Sequence, residues 1–298
     1  MSDQPTRTKP LIIDSHHHLW DPAGPHDTAW LRGLDRIDRP FLAADLQAVL
    51  RESGVDAAVL VQTIHSLDET RDYLRIASET PEIIGVVGWV DLTSAQVASQ
   101  IADLQAGPHG EYLVGIRHLV HNEEDPDWLM QESVQNGLQA LADAGLTYDL
   151  LLRPREMDSA ITVARDFPHL KMVIDHIAKP PIASGELEPW ASKLREFAGL
   201  EHVACKLSGM VTEADHDSWT PEDLKPYIAT AWEIFGPDRL MYGSDWPVCL
   251  LAAEYREVIG ALRTVLDELG VLDEATEASL FAGTAARWYG LDLARLRG

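Results

Sequence analysis

Histidines and an acid follow an apolar run near the start of the chain. Residues 11–13 are Leu, Ile and Ile, and residues 14–18 are Asp, Ser and three histidines. An apolar run with β-branched residues is typical of a buried strand. Side chains alternate between the faces of a strand, so His16 and His18 are expected on one face and His17 on the other. Two imidazoles about 7 Å apart on one face can bind one metal ion or one substrate.

Other apolar runs also end in polar or aromatic side chains. One subset combines imidazoles with a carboxylate and is called here the His/Asp set: His16, His18, His176 and Asp245. Neutral imidazoles with one carboxylate are typical ligands of an open catalytic zinc site. The same groups could instead bind substrate directly, with Asp245 as a general base toward a water molecule. The residues alone leave both interpretations open.

The elements that must position these groups alternate regularly along the chain. Strands are predicted at 11–20, 57–62, 83–90, 113–118, 147–152, 171–176, 203–208 and 240–245. Helices are predicted at 41–53, 68–80, 94–105, 133–144, 157–167, 189–198, 224–235 and 253–269, with further helix in 273–289. Eight strand–helix units predict an α/β fold, a single (β/α)8 TIM barrel. Catalytic groups of such a barrel lie at the carboxyl ends of its strands, where these polar side chains occur.

A doubly wound open sheet is the main rival fold. No glycine-rich phosphate loop follows an early strand, so the usual sign of a nucleotide-binding version is missing and no nucleotide cofactor is expected. The composition shifts nowhere along the chain in the manner of a linker. We therefore expect one domain spanning residues 1–298, with residues 1–10 flexible.

Composition and charge exclude several classes of partner. The 298 residues include 48 acidic and 24 basic side chains, a formal net charge of −24. This charge disfavours binding to nucleic acid or to an anionic membrane surface. No apolar run is long enough to span a membrane, and the two cysteines, Cys205 and Cys249, form no close-spaced motif. A cytoplasmic location is expected, and whether the chain forms a homo-oligomer stays open.

Longer motifs extend along nearly the whole chain in strand order. They are IDSHHHLWDP at 13–22, GVVGWVD at 85–91, GIR at 115–117, VIDHIAKP at 173–180, CKLSGM at 205–210 and YGSDWPV at 242–248. With His-x-His on the first strand, a histidine ending the sixth and an aspartate ending the eighth, the chain resembles the amidohydrolase superfamily of (β/α)8 hydrolases. The finer motifs resemble its sugar-lactonase branch, which includes L-fuconolactonase-like and L-rhamnonolactonase-like enzymes and, more distantly, 2-pyrone-4,6-dicarboxylate lactonase.

The resemblance implies an amidohydrolase-like, metal-dependent hydrolase fold that opens a sugar-acid lactone, a small molecule, to the hydroxy acid. Asp245 is then the general base, and the three histidines, or a metal they hold, polarise the carbonyl. Arg117, expected opposite the histidines, donates to substrate oxygens. The catalytic candidates are therefore Asp245, His176 and Arg117. The substrate-binding candidates are Arg117, Trp20, Trp89, His65, Lys206 and Trp246.

The metal content is the least determined part of this expectation. The fourth strand offers Arg117 where binuclear members of the superfamily carry a bridging lysine, and the fifth strand has no histidine. A binuclear centre is therefore not expected. One divalent ion, zinc, bound by His16, His18 and Asp245, remains an alternative to direct substrate binding by these residues.

Three other functions remain as alternatives to lactone hydrolysis. They are a metal-dependent decarboxylase on the same barrel, a lactone isomerase and a non-catalytic sugar-binding protein. The sequence does not name the sugar, and it leaves the roles of His17 and His65 open.

Overall fold

A computed structural model describes residues 10–297 of the chain. Of residues 1–10, which we expected to be flexible, only Pro10 lies within the described range. Its eight strands form one parallel sheet in sequence order. The strands are β1 Ile13–His17, β2 Ala57–Val61, β3 Ile83–Gly88, β4 Leu113–His118, β5 Thr147–Leu150, β6 Met172–Ile174, β7 Val203–Leu207 and β8 Leu240–Tyr242. Almost every strand residue is buried, as expected for a parallel sheet covered on both faces.

The first and last strands of the sheet come together beside the predicted site residues. His17 forms a parallel bridge with Trp246, just beyond β8. The Asp245 amide donates to the His16 carbonyl over 2.9 Å, and the His18 amide donates to the Trp246 carbonyl over 2.7 Å. These contacts bring β1 and the segment after β8 together, so the predicted barrel and its alternation of strands and helices are confirmed.

Helices follow the strands and cover the outside of the barrel. They are α1 Ala43–Ser53, α2 Leu67–Glu79, α3 Val97–Ala106, α4 Glu132–Ala144, α5 Met157–Asp166, α6 Trp190–Arg195, α7 Met210–Glu213, α8 Pro221–Phe235, α9 Tyr255–Glu268, α10 Glu274–Ala278 and α11 Thr284–Tyr289. α8 begins three residues earlier than predicted, because Thr220 and Asp223 form a capping box around Pro221 in the first turn. In the part of the chain that the structure describes, no helix is both long and apolar enough to cross a membrane.

The prediction that the sixth strand runs to residue 176 is wrong. β6 ends at Ile174, and the backbone then turns through four consecutive residues with positive φ, from His176 (52°) to Lys179 (48°). Ile177 is fully buried in this turn, and the Trp190 indole donates to its carbonyl over 2.6 Å. A buried turn of apolar residues reads like a strand in the sequence, because hydrophobicity does not report the sign of φ.

The barrel interior is filled by small and branched side chains from alternate strand positions, such as Ala57, Val59 and Val173. Tyr289, the last residue of α11, belongs to this interior cluster. The C-terminal helix therefore contributes a side chain to the middle of the barrel, in addition to covering its outside.

Candidate active site

The His/Asp set converges on one carboxylate oxygen at the carboxyl ends of β1, β6 and β8. Asp245 Oδ1 lies 3.5 Å from His18 Nε2, 3.7 Å from His16 Nε2 and 3.9 Å from His176 Nε2. The Nε2 atoms of His16 and His18 are 3.1 Å apart. The structure therefore brings together the four residues predicted to act jointly. His17 is buried away from them, and the described residues offer neither of its ring nitrogens a hydrogen bond.

Unusual backbone conformations position two members of the set. His176 has a φ of 52° and Asp245 a φ of 59°, both in the left-handed region that side chains rarely adopt. Gly209, after β7, leaves room for the His176 ring, because a Cβ at this position would lie 2.5 Å from His176 Nδ1. Such conformations cluster at functional sites, where the surrounding structure compensates for their cost.

Hydrogen bonds decide which imidazole nitrogen carries the proton. His18 Nδ1 lies 2.7 Å from the Val61 carbonyl, which can only accept, so Nδ1 carries the proton and Nε2 has a free lone pair. The Arg117 guanidinium, which can only donate, lies 3.2 Å from His16 Nε2, so this atom also presents a lone pair. His16 Nε2 uses its lone pair to accept from Arg117, whereas the lone pair of His18 Nε2 is free, and the two atoms are 3.1 Å apart.

Burial lowers the pKa of two imidazoles of the set, and the neighbouring histidines keep the carboxylate charged. Burial lowers the pKa of His176 to about 4 and that of His16 well below its ordinary value. Burial alone would raise the pKa of Asp245, but the neighbouring His176, His18 and His16 outweigh it and hold the pKa below its usual range. At neutral pH the set therefore offers an ionised carboxylate beside the neutral imidazoles of His16 and His176.

A cavity of about 590 Å³ opens above the set, and its walls include many predicted residues. Those found in its lining are His18, His65, Arg117, His176 and Asp245. Lys179, His121, Glu123, Trp30 and Asp27 also line it. His16 is fully buried and supports the cavity from below.

Lys206, predicted to contact substrate, is instead fully buried beneath His16. Its ammonium lies 2.6 Å from Asp149 Oδ2 and 2.9 Å from Asp175 Oδ1. The structure thus places Lys206 outside the cavity wall, in an ion network with two acids. A position at the end of a strand predicts that a residue lies near the mouth of the barrel. It does not show whether the side chain points into the cavity or toward the barrel interior.

Arg117, on β4, completes this network and contacts His16, on β1, directly. One of its nitrogens, Nη1, reaches both His16 Nε2 (3.2 Å) and Asp175 Oδ2 (2.9 Å). Burial alone would raise the pKa of Asp175, but Lys206, His16 and Arg117 hold it well below its usual range. Two buried cations and two buried acids thus balance one another directly under the site.

The predicted tryptophans Trp20, Trp89 and Trp246 pack around the site without lining the cavity. The Trp20 ring packs edge-on against Trp30 and Phe41, and Trp246 packs against Phe41, so Trp20 and Trp246 lie outside the cavity lining. Trp89 stacks on His65, with 5.5 Å between ring centroids, and so supports a residue of the wall.

Sequence reasoning assigned no role to Asp149, Asp175 or Tyr289, although all three support the site. The Tyr289 hydroxyl donates to Asp149 Oδ2 over 2.7 Å. A usable signal was present for Asp149 and Asp175, because both are charged residues within predicted strands that are otherwise apolar, and buried charges are normally paired. No comparable signal distinguishes Tyr289 from other helix residues.

Comparisons with known proteins agree with this geometry. A family model described as Amidohydrolase matches residues 13–291. An L-fucono-1,5-lactonase from Burkholderia ambifaria is 37% identical over 285 residues, covering 94% of this chain and 96% of that protein. An L-fucono-1,5-lactonase from Burkholderia multivorans is 36% identical, with the same coverage of both chains. The crystal structure of an amidohydrolase from Burkholderia multivorans with bound zinc has a TM-score of 0.88 at 34% identity, covering 95% of this chain and 100% of the other.

Proposed function

The chain belongs to the amidohydrolase family, and from this membership and the geometry of its site we propose that it is a lactonase. It hydrolyses the ester bond of a sugar-acid lactone, of the L-fucono- or L-rhamnono-lactone type, to the hydroxy acid. One observation carries the proposal: the Asp245 carboxylate lies within 3.9 Å of His16, His18 and His176 at the floor of the cavity. The relatives named as L-fucono-1,5-lactonases, matched over most of both chains, support the substrate class.

Asp245 acts as the general base in this proposal. Its carboxylate removes a proton from a water molecule as the water oxygen attacks the lactone carbonyl carbon. The ring C–O bond then breaks, and the ring oxygen leaves as the hydroxyl of the open acid after taking up a proton. Asp245 is suited to this role because it lines the cavity and its pKa is held low enough for it to be ionised at neutral pH.

Arg117 stabilises the negative charge that develops on the carbonyl oxygen. Its side chain lines the cavity while Asp175 and the Gln62 carbonyl fix its guanidinium from below. A donor that is already oriented costs no reorganisation when charge develops, which is the basis of oxyanion stabilisation. His176, whose Nδ1 lies 2.9 Å from Ser208 Oγ, orients the Asp245 carboxylate from the other side.

The His/Asp set also fits one divalent ion. Two ligands bound at about 2.0–2.2 Å to a tetrahedral zinc lie about 3.3–3.6 Å apart. The His16–His18 separation is 3.1 Å and those from Asp245 to the three histidines are 3.5–3.9 Å, while one ligand atom from each of His16, His176 and Asp245 lies within 4.8 Å of the others. We propose that these four residues hold the ion, which when bound supplies Lewis-acid polarisation of the lactone carbonyl.

We further propose that the chain works as one domain in the cytoplasm. The family match extends from the first strand to the segment after α11, which supports a single unit. Cys205 and Cys249 are free and buried, which is consistent with a reducing compartment.

The function is tested by following acid release from a panel of sugar lactones with a pH indicator. The panel contains L-fucono-, L-rhamnono-, D-galactono- and D-arabinono-lactones, each assayed with protein as purified, stripped by chelator and resupplied with zinc. We expect acid release from at least one L-configured lactone, and one bound ion per chain by metal analysis. Lactone rearrangement without acid release would show an isomerase, and carbon dioxide release from an aromatic acid without lactone opening would show a decarboxylase.

A further inference from the structure

A second cluster of histidines and acid lies at the mouth of the same cavity. The His65 and His118 rings stack with 4.0 Å between centroids, and His118 stacks on Trp128 at the same distance. Glu123 Oε1 lies 2.7 Å from His118 Nε2. A ligand atom from each of His65, His118 and Glu123 lies within 4.8 Å of the others, a spacing compatible with a second metal site.

The hydrogen bonds argue against a metal at this cluster. The Trp89 indole N–H can only donate, and it lies 3.2 Å from His118 Nδ1, so the proton of His118 is on Nε2 and points to Glu123. The Leu119 amide donates to His65 Nε2 over 3.1 Å. The nitrogens that a cation would need are thus already engaged. The cluster forms a chain of hydrogen bonds that ends at a carboxylate.

We propose that Glu123 is a specificity-determining residue that accepts a hydrogen bond from a hydroxyl group of the lactone substrate. This inference rests on the proposed function. Glu123 and His65 line the cavity that also contains Asp245 and Arg117. His118 holds one oxygen of Glu123, while none of the described residues donates to the other, Oε2. The free oxygen is available to a ligand in the cavity.

The two wall residues together match the chemistry of a hydroxyl group. A hydroxyl both donates and accepts. Because the Leu119 amide occupies His65 Nε2, the ring proton of neutral His65 is on Nδ1, for which no described residue is an acceptor. Glu123 therefore offers an acceptor and His65 a donor. A carboxylate on the substrate at this place would be repelled by Glu123, so the wall selects a neutral, hydroxylated lactone.

The neighbouring histidine leaves the charge of Glu123 in place. Burial lowers the pKa of His118 to about 4, so His118 is neutral at neutral pH and does not form an ion pair with Glu123. A hydrogen bond from a hydroxyl to a charged carboxylate is stronger than one between neutral groups. A site built to bind a hydroxyl discriminates strongly against an analogue that lacks it.

The inference is tested by comparing two lactones in the Glu123→Gln variant. One is the best sugar lactone of the wild type, and the other is δ-valerolactone, which has no ring hydroxyl. We expect kcat/KM to fall by about 10- to 100-fold for the sugar lactone and to stay unchanged for δ-valerolactone. Glu124→Gln is the matched control, because Glu124 is exposed, does not line the cavity and loses the same charge. Equal losses for both lactones, or no loss for either, would overturn the inference.

A binding measurement separates this inference from the proposed function. L-fucose keeps ring hydroxyls but has no ester, and its affinity is measured by calorimetry. We expect Glu123→Gln to weaken binding about tenfold or more, and Glu124→Gln to leave it unchanged. If the wild type opens no lactone but binds L-fucose in a Glu123-dependent way, the proposed function fails and the inference holds. The inference is contradicted if wild type and Glu123→Gln bind L-fucose with equal affinity. It is also contradicted if neither protein binds L-fucose and the substitution affects the two lactones alike.

Discussion

Neighbouring side chains give Asp245 the low pKa that a general base at neutral pH requires. His176, His18 and His16, all within 3.9 Å, hold its pKa below the usual range, and burial lowers the pKa of His176 and His16. The proton positions follow from groups of fixed polarity, the Val61 carbonyl and the Arg117 guanidinium. Chemistry at this site therefore requires the surrounding hydrogen bonds as much as the residues of the set.

The identities of the site residues were predictable, but their orientations were not. Residues at strand ends had to meet at one rim, and His16, His18, His176 and Asp245 do so. Lys206 also ends a strand but points below His16, into the ion network with Asp149. Glu123 lies in an irregular loop after β4, where no periodicity in the sequence marks a functional position.

Gly209 allows a test of how closely His176 must be positioned. In Gly209→Ala, the new Cβ would lie 2.5 Å from His176 Nδ1, so the ring must shift. We expect kcat for lactone opening to fall by about 10- to 100-fold, as is typical when a group that positions the reaction moves by about 1 Å.

Gly145→Ala is the matched control for this substitution. Gly145 has a φ of 70°, close to the 61° of Gly209, but a Cβ there meets nothing within 4 Å. Both variants incur the cost of a side chain at positive φ, about 1–2 kcal/mol of stability. If both reduce kcat equally, the effect is one of stability, and the positioning of His176 by Gly209 is refuted.

At the scale of elements, strand and helix positions were largely predictable, whereas the turns were not. The alternation of apolar runs with helical periodicity predicts eight units, and the sheet has them. The left-handed turn after β6 was missed because hydrophobicity does not report the sign of φ. The turn nevertheless determines the site, because it carries His176 at its start and Lys179 at its end.

α11 connects the C-terminal segment to the site through Tyr289. The Tyr289 hydroxyl donates to Asp149, which in turn binds Lys206. In Tyr289→Phe the buried Asp149 loses a donor, so we expect the free energy of unfolding to fall by about 1–3 kcal/mol in denaturant titrations. Tyr112→Phe is the control, since no described residue hydrogen-bonds its hydroxyl, and we expect a change within about 0.5 kcal/mol. Equal stability of Tyr289→Phe and wild type would show that the hydroxyl contributes nothing.

At the scale of the whole molecule, an acidic protein surrounds a cavity whose lining carries charges of both signs. The net charge is −24, yet Arg117 and Lys179 line the cavity beside Asp245. Lactone hydrolysis produces a carboxylate, and an anion formed near these cations is then repelled by the surrounding field. The composition alone could not identify these two cations, because it does not show which few basic residues the fold places in the cavity wall.

Buried neutral histidines make stability depend on pH. Burial lowers the pKa of His118 to about 4, whereas a histidine in the unfolded chain titrates near about 6.5. Between these values the unfolded state binds more protons, so the free energy of unfolding falls as the pH falls from about 6.5 to about 4. In His118→Phe we expect this acid-induced loss of unfolding free energy to be smaller than in the wild type, by on the order of 2 kcal/mol.

Denaturant titrations at pH 7 and pH 4 measure this difference. His169→Phe, at an exposed histidine, is the control and should lose stability to acid as the wild type does. An acid-induced loss in His118→Phe that equals that of the wild type would show that His118 does not titrate in this way.

The most direct test of the account is the rate of acid release from L-fucono-1,5-lactone by wild type and by Asp245→Asn. Asparagine keeps the shape of the side chain but cannot take a proton from water, so we expect the rate to fall by at least about 100-fold. The thermal unfolding transition should remain cooperative, and Asp103→Asn, at an exposed position on α3, should retain the wild-type rate. A folded Asp245→Asn enzyme that opens the lactone at the wild-type rate would contradict the assignment of Asp245 as the base.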